Sequence, residues 1–188
     1  MVSVIWVQIK DAGRGKYGYI DKTGKFVIRF DQRKLYGGSK FSEGLTAAGG
    51  NSKLGYIDKT GKFVIKPQFD YAFKFAEGMA WIGIGEKSGY INKTGKIVIP
   101  PKFTSASDFS EGLASVSIDN QRGYIDKTGK MLISPQFDYT AKFSEGLALV
   151  SVGNNCGYID KTGKMIIQLN QSLASMIRDS ARCRVNWQ

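Results

Sequence analysis

Two sets of acidic residues recur at fixed places along the chain, and carboxylates can act as general acids and bases. The first set follows a Gly-Tyr-Ile sequence and contains Asp21, Asp58, Asp126 and Asp160. The second set lies two residues after a phenylalanine and contains Glu43, Glu77, Glu111 and Glu145. A catalytic group is needed once, whereas these residues recur along the chain, and the third copy of the first motif has Asn92, which cannot act as a base. We therefore expect the carboxylates to serve the fold and predict no catalytic residue.

Other residue types that carry chemistry are scarce. The chain has no histidine, the commonest general base and metal ligand. Gly13-Arg-Gly-Lys-Tyr-Gly18 matches the glycine pattern of dinucleotide sites, but it precedes a predicted strand where such a site needs a helix. The repeated Thr-Gly-Lys lacks the glycine spacing and the following Ser or Thr of a phosphate-binding loop. The sequence thus predicts no cofactor and no metal site, and we expect the protein not to be an enzyme.

The composition indicates a folded, basic protein. Of 188 residues 42% are hydrophobic, and 27 Lys and Arg against 16 Asp and Glu give a formal charge of +11. Such a charge favours acidic partners, which include an acidic protein, a nucleic acid and an anionic membrane face. No apolar run is long enough to span a membrane, so no transmembrane insertion is expected. The two cysteines, Cys156 and Cys183, suggest no disulfide framework, and with no recognisable signal peptide we expect a cytoplasmic location.

Lysines and arginines are the candidate partner-binding residues. Ten lysines flank the tips of predicted hairpins: Lys22, Lys25, Lys59, Lys62, Lys93, Lys96, Lys127, Lys130, Lys161 and Lys164. The C-terminal tail adds Arg178, Arg182 and Arg184. With three strands per unit, regular stacking would place successive tips roughly 14 Å apart and make a basic stripe. The stripe is either a binding face or a guard against edge-to-edge aggregation, for which lysine is the usual residue.

The elements that position these residues are read from a repeat. Gly-Tyr-Ile-Asp-Lys-Thr-Gly-Lys, the hairpin motif, occurs with small changes at 18–25, 55–62, 89–96, 123–130 and 157–164. A corner motif, Phe-Ser-Glu-Gly-Leu, alternates with it at 41–45, 75–79, 109–113 and 143–147. Asp at the start of the hairpin turn can bond the backbone two residues on, and the second Gly of the motif supplies a positive φ, so the motif predicts a tight β-turn. Segments such as Leu147–Val152 alternate and are rich in branched residues, as strands are.

These elements predict an all-β fold of five antiparallel hairpins or three-stranded units of about 34 residues. A segment such as Pro67–Ala72 is expected to add a fourth short extended piece. We favour an open solenoid-like array, and the alternative is a closed ring like a five-bladed propeller. Residues 1–167 form the repeat domain. Residues 168–188 form a C-terminal cap or docking tail, in which Leu173, Met176 and Ile177 have helical spacing.

Aromatic residues recur in the same register. One slot holds Tyr19, Tyr56, Tyr90, Tyr124 and Tyr158, and the corner motif holds Phe41, Phe75, Phe109 and Phe143. Such rings could stack nucleic-acid bases. Recurring large apolar residues more often pack one unit on the next, so we assign them to the core.

The succession of Gly-Tyr-Ile-Asp-Lys-Thr-Gly-Lys, Pro-x-Phe-Asp-x-Ala and Phe-Ser-Glu-Gly-Leu-Ala resembles the bacterial WG-repeat (tryptophan-glycine repeat) family over residues 3–167. The tryptophan of that family should precede the hairpin glycine, and here the position holds Tyr17, Leu54, Ser88, Arg122 and Cys156. The resemblance implies a repetitive β scaffold with no shared enzyme activity. We therefore expect a scaffold or linker that binds an acidic protein or belongs to a larger assembly. The alternative is a module that binds a polyanion such as a nucleic acid.

Overall fold

A computed structural model describes residues 5–9, 16–30, 36–37, 40–50, 52–153 and 155–169. Every regular element among these residues is a β-strand, and the strands form five antiparallel sheets, as the repeat predicted. Gln168 and Leu169 belong to the last strand, and the rest of the expected C-terminal tail lies outside the described residues, together with its predicted helix.

Each sheet corresponds to one repeat unit. Unit 1 contains β1 (Ile5–Ile9), β2 (Lys16–Ile20) and β3 (Phe26–Phe30). Unit 2 contains β4 (Tyr36–Gly37), β5 (Thr46–Gly50), β6 (Lys53–Ile57) and β7 (Phe63–Phe69). Unit 3 contains β8 (Tyr71–Ala72), β9 (Met79–Ile84), β10 (Lys87–Asn92) and β11 (Ile97–Phe103). Unit 4 contains β12 (Ser105–Ala106), β13 (Leu113–Ile118), β14 (Gln121–Asp126) and β15 (Met131–Phe137). Unit 5 contains β16 (Tyr139–Thr140), β17 (Ala148–Val152), β18 (Asn155–Ile159) and β19 (Met165–Leu169).

The strands follow one another across each sheet in chain order. In units 2 to 5 the expected fourth piece is a two-residue edge strand that pairs with the next strand, as Tyr71 pairs with Gly83. The corner motif connects these two strands, and the hairpin motif supplies the third strand and its turn. Among the described residues the sheets form a repeated open array, and none closes into a barrel.

Most hairpin tyrosines and corner phenylalanines are buried in the core, and Phe41 and Tyr158 are partly buried against it, which confirms their structural assignment. The rings of Tyr56 and Phe75 have centroids 4.8 Å apart, and those of Tyr124 and Phe143 are also 4.8 Å apart. The Tyr56 hydroxyl donates a hydrogen bond of 2.6 Å to the carbonyl oxygen of Phe73. Burial raises the pKa of Tyr56 well above its usual range. Tyr56, Tyr90 and Tyr124 thus fill the core with their rings and donate from their hydroxyls to backbone carbonyls.

The first glycine of the hairpin motif is required where two strands approach closely. In unit 3 the register passes from Ser88↔Phe103 to Tyr90↔Ile99, which marks a bulge opposite Gly89. A Cβ atom on Gly89 would lie 2.5 Å from the carbonyl oxygen of Ile99. The side chain of any other residue would collide with the backbone of the neighbouring strand, so only glycine fits at this position.

Candidate functional site

The aspartates of the hairpin motif build the turns. Asp126 Oδ1 accepts hydrogen bonds from Thr128 N at 2.8 Å, Thr128 Oγ1 at 2.6 Å and Lys130 N at 3.1 Å. The turn glycine, Gly129, has φ of +84°, which glycine adopts at little cost. The hydrogen bond from the Thr128 side chain lowers the pKa of Asp126 below its usual value. The prediction that these aspartates serve the turn is therefore confirmed.

The third hairpin tests this assignment within the same chain. Asn92 Oδ1 accepts from Thr94 N at 3.0 Å, Thr94 Oγ1 at 2.7 Å and Lys96 N at 3.0 Å. These are the three bonds that Asp126 makes. An uncharged amide oxygen therefore forms the same turn, so the turn needs the oxygen and not the negative charge.

The glutamates of the corner motif link successive units. Glu77 has φ of +53° and Gly78 has φ of +82°, the two positive values of a type I′ hairpin turn. The Glu77 carboxylate accepts a hydrogen bond of 3.0 Å from Gly112 N in the next corner. It also lies 3.1 Å from Lys127 Nζ in the next hairpin. One carboxylate thus joins two parts of the following unit.

The same inter-unit ion pair recurs in two other units. Lys93 Nζ lies 2.8 Å from Glu43 Oε2, and Lys161 Nζ lies 3.1 Å from Glu111 Oε2. The hydrogen bond from Lys93 lowers the pKa of Glu43 below its usual value. Three tip lysines (Lys93, Lys127 and Lys161) are therefore bound to carboxylates within the array.

The remaining tip lysines are exposed and make no ion pair with a described residue. They are Lys22 and Lys59, together with the last residue of each hairpin motif, namely Lys25, Lys62, Lys96, Lys130 and Lys164. The geometry thus divides the candidate residues into a paired set and an unpaired set. The three candidate arginines Arg178, Arg182 and Arg184 lie outside the described residues.

An exposed aliphatic side chain lies two residues after the last lysine of every hairpin motif. These side chains are Val27, Val64, Val98, Leu132 and Ile166, with relative exposures of 37%, 48%, 38%, 46% and 49%. In unit 2 the intervening Phe63 is less exposed than Lys62 and Val64, and Ile65 beyond them is buried, whereas in unit 3 the intervening Ile97 is also exposed. We call these five lysines and five aliphatic residues the basic–apolar row. Sequence reasoning found its lysines and missed its aliphatic members.

One aromatic pair interrupts the repeat. Phe73 and Trp81 in unit 3 stack with centroids 3.3 Å apart and planes within 10°. Units 2 and 4 have Ala47 and Ser115 at the position of Trp81. The pair borders a shallow hollow of about 540 Å³ whose lining includes Ala47, Ala72 and Ala106. Unit 5 has Leu149 at this position, so Trp81 is the one aromatic residue there in units 2 to 5, and this was a signal of the hollow in the sequence.

Cys156 is buried and disulfide-bonded, although the two cysteines of the sequence suggested no disulfide framework. The only other cysteine of the chain, Cys183, lies outside the described residues. A disulfide is typical of oxidising compartments, so the expected cytoplasmic location loses that support and stays a prediction.

Within the described part of the chain, no three His, Cys, Asp or Glu side chains are grouped as metal ligands. None of the described residues forms a helix with the length and apolar character needed to cross a membrane.

The sequence model of the family described as "WG containing repeat" matches residues 17–31, 55–87, 89–121, 123–156 and 157–170, more than half of the chain. These ranges begin at or next to the hairpin glycine in each unit. No curated protein matches the chain.

The solved structures of two other proteins align with most of this chain. The crystal structure of a eukaryotic initiation factor aligns with a TM-score of 0.55 at 13% identity, over 88% of this chain and 51% of that one. This chain therefore spans about half the length of that protein. A protein of unknown function from Bacteroides caccae aligns at 0.40 and 16% identity, over 90% and 73% of the two chains. At 13% identity the likeness to the initiation factor concerns the fold alone.

Proposed function

We propose that this chain, which belongs to the family of WG containing repeats, is a non-catalytic scaffold that binds an acidic protein partner. The basic–apolar row is the observation that carries the proposal. It presents one exposed lysine and one exposed aliphatic side chain in each of five units. A partner with carboxylates beside apolar residues complements both components, since lysine attracts the charge and the aliphatic side chains gain from burial.

The state of the carboxylates supports the non-catalytic part of the proposal. Asp126 accepts three hydrogen bonds from its own turn, and Glu77 is bound to a backbone amide and a lysine of the next unit. Both groups have pKa values below their ordinary range. A general base works best with a pKa near the operating pH, so these carboxylates suit structure better than proton transfer.

The net charge of +11 favours a second candidate, a module that binds polyanions such as nucleic acids. The aliphatic half of the row distinguishes the two candidates. Phosphate backbones offer charge and hydrogen-bond acceptors but no apolar side chains to bury. An acidic protein uses the whole row, whereas a polyanion uses only its lysines.

The experiment compares two variants that remove the same charge from the same three hairpins. The row variant changes Lys96, Lys130 and Lys164 to Gln, and the matched control changes Lys93, Lys127 and Lys161 to Gln. The probes are a 20-residue peptide that alternates Glu with Val, poly-L-glutamate of the same length, and a 20-base-pair DNA duplex. Each Kd is measured at low and moderate salt, and each melting temperature is recorded.

We expect the alternating peptide to bind more tightly than poly-L-glutamate. The row variant should lose this binding and keep its melting temperature. The control should retain most of the binding and melt at a lower temperature, because its lysines hold units together. Equal loss in both variants would show general charge attraction and contradict a defined row. Tighter binding of the DNA than of either peptide would replace the proposal by the polyanion function.

A further inference from the structure

Neighbouring units make the same contact four times within the chain. The turn glycine of each later hairpin lies over an isoleucine of the preceding unit: a Cβ atom on Gly95 would lie 3.0 Å from Ile65 Cγ2, and one on Gly163 would lie 3.2 Å from Ile133 Cγ2. The covered isoleucines are buried, as Ile133 is at 3% exposure. In three of the four contacts an ion pair accompanies this packing, as between Lys161 and Glu111. One contact thus combines a turn glycine with an isoleucine and a tip lysine with a corner glutamate.

Unit 5 presents one half of this contact uncovered. Ile167 stands at the position of Ile133 and is 43% exposed. Glu145 stands at the position of Glu111, and its carboxylate makes no ion pair or hydrogen bond with a described residue, although its φ of +54° holds it in the same turn geometry. Both groups that bind a following hairpin are therefore present and unoccupied within the described structure.

Unit 1 presents the other half. The position of a Cβ on Gly24 has no heavy atom within 4 Å, unlike the turn glycines of the four later hairpins. Lys22 stands at the position of Lys161, is exposed, and makes no ion pair with a described residue. The turn itself is intact, because Asp21 Oδ1 accepts from Thr23 N at 2.8 Å. Unit 1 therefore carries a formed hairpin whose turn glycine meets no described neighbour.

We propose that the hairpin of unit 1 docks on unit 5 of a second copy of this chain, and that copies associate head to tail. Gly24 packs over Ile167 of the second copy, and Lys22 pairs with Glu145 of the second copy. The contact continues an interface that the chain already makes four times, so its shape and charge are matched. Such a contact joins two different surfaces, and it propagates from copy to copy unless rotation closes a ring. This inference does not depend on the proposed acidic partner.

The test measures self-association of the full chain by sedimentation velocity over a wide concentration range. The charge reversals Lys22→Glu and Glu145→Lys each place like charges at the contact. We expect each variant alone to raise the dissociation constant roughly threefold to tenfold, because an exposed ion pair is replaced by a repulsion of similar size. The matched controls, Lys87→Glu and Glu86→Lys, reverse exposed charges in unit 3, away from the contact, and should leave the constant unchanged.

Self-association of a mixture of the two charge-reversal variants is the decisive measurement. In one orientation of the mixed contact the introduced lysine of the Glu145→Lys chain faces the introduced glutamate of the Lys22→Glu chain. The opposite orientation retains the natural pair of Lys22 with Glu145, so the mixture should associate as the unmodified chain does. Ile167→Ser should also weaken association without lowering the melting temperature, since Ile167 is already exposed.

Three results would overturn the proposal. A chain that stays monomeric at every concentration has no such contact. An association that both charge reversals leave unchanged uses another surface. Charge reversals that lower the melting temperature of a monomer, with recovery in the Lys22→Glu/Glu145→Lys double variant, would show that units 1 and 5 meet within one chain.

Discussion

Replacing Asp126 separates the role of its oxygen from the role of its charge. Asp126→Ala removes the acceptor of three hydrogen bonds, whereas Asp126→Asn retains it, as Asn92 shows in the neighbouring hairpin. A hydrogen bond contributes about 0.5–1.5 kcal/mol in a folded protein. The tip is open to water, which replaces part of each lost bond. We therefore expect Asp126→Ala to lower the free energy of unfolding by about 1–2 kcal/mol, and Asp126→Asn to change it by less than about 0.5 kcal/mol.

The negative charge of Asp126 makes the stability of the fold depend on pH, and the lowered pKa determines the direction of that dependence. The pKa of Asp126 is lower in the folded protein than its ordinary value, first because of the Thr128 side chain. A lowered pKa stabilises the fold above the unfolded pKa of about 3.9, and this contribution is lost as the pH falls through the folded value. Any advantage of the natural chain over the Asp126→Asn variant should therefore be present at pH 7 and shrink as the pH falls below about 4.

Urea denaturation of the natural chain and both variants at pH 7 and at about pH 3, below the unfolded pKa, measures these differences. The other hairpin aspartates titrate identically in all three proteins, so the comparison isolates the substituted position. The reasoning fails if Asp126→Asn destabilises as much as Asp126→Ala. It also fails if the natural chain gains on the Asp126→Asn variant as the pH falls.

Three further changes test the packing around the turns. Gly123→Ala would place a Cβ atom 2.3 Å from the carbonyl oxygen of Ile133, so it should lower the free energy of unfolding by more than about 2 kcal/mol. In the control Gly85→Ala the Cβ atom would meet no atom within 4 Å, and the loss should be about 1 kcal/mol. Equal urea midpoints for the two variants would refute the steric argument. Glu77→Gln retains an acceptor for Gly112 N but removes the ion pair with Lys127. The free energy of unfolding should therefore fall by about 0.2–1 kcal/mol, and this difference should shrink in high salt. A difference that salt does not change would contradict the role of the ion pair. Tyr90→Phe removes the 2.8 Å bond to the Ser107 carbonyl and should lower the free energy of unfolding by about 1 kcal/mol, whereas an unchanged value would show that water replaces the hydroxyl.

The sequence predicted features that depend on a few neighbouring residues. The Asp-Lys-Thr-Gly turn closes through bonds that span at most four residues, as from Lys130 N to Asp126. All of these hydrogen bonds therefore lie within the motif. The core assignment of Tyr56 and Phe75 rested on recurrence, and the same ring pairing is found in successive units. The role of the hairpin's first glycine was not predicted, because the carbonyl that excludes a side chain belongs to another strand.

Contacts between units could not be read from the sequence. Lys127 pairs with Glu77, 50 residues earlier in the chain, and that pairing depends on how one unit lies on the next. The exposure of the aliphatic residues of the basic–apolar row could not be predicted for a related reason. Phe63-Val64-Ile65 is a continuous apolar run, and such runs indicate strands buried on both faces. The structure buries Ile65 and leaves Val64 exposed because no described sheet covers the outer face of β7.

Two lysines three residues apart in one hairpin have different surroundings, and under the proposed function this difference would let the array change its partner without losing its fold. Lys127 contacts Glu77 of the preceding unit, whereas Lys130 makes no described ion pair and belongs to the basic–apolar row. The turn uses only the backbone amide of Lys130, which donates to Asp126. Side chains at the Lys130 position and at Leu132 can therefore vary in each unit independently. Cohesion between units depends on the other lysine, on the turn glycine and on the isoleucine beneath it, so under the proposed function binding and stability would depend on different residues of the same short motif.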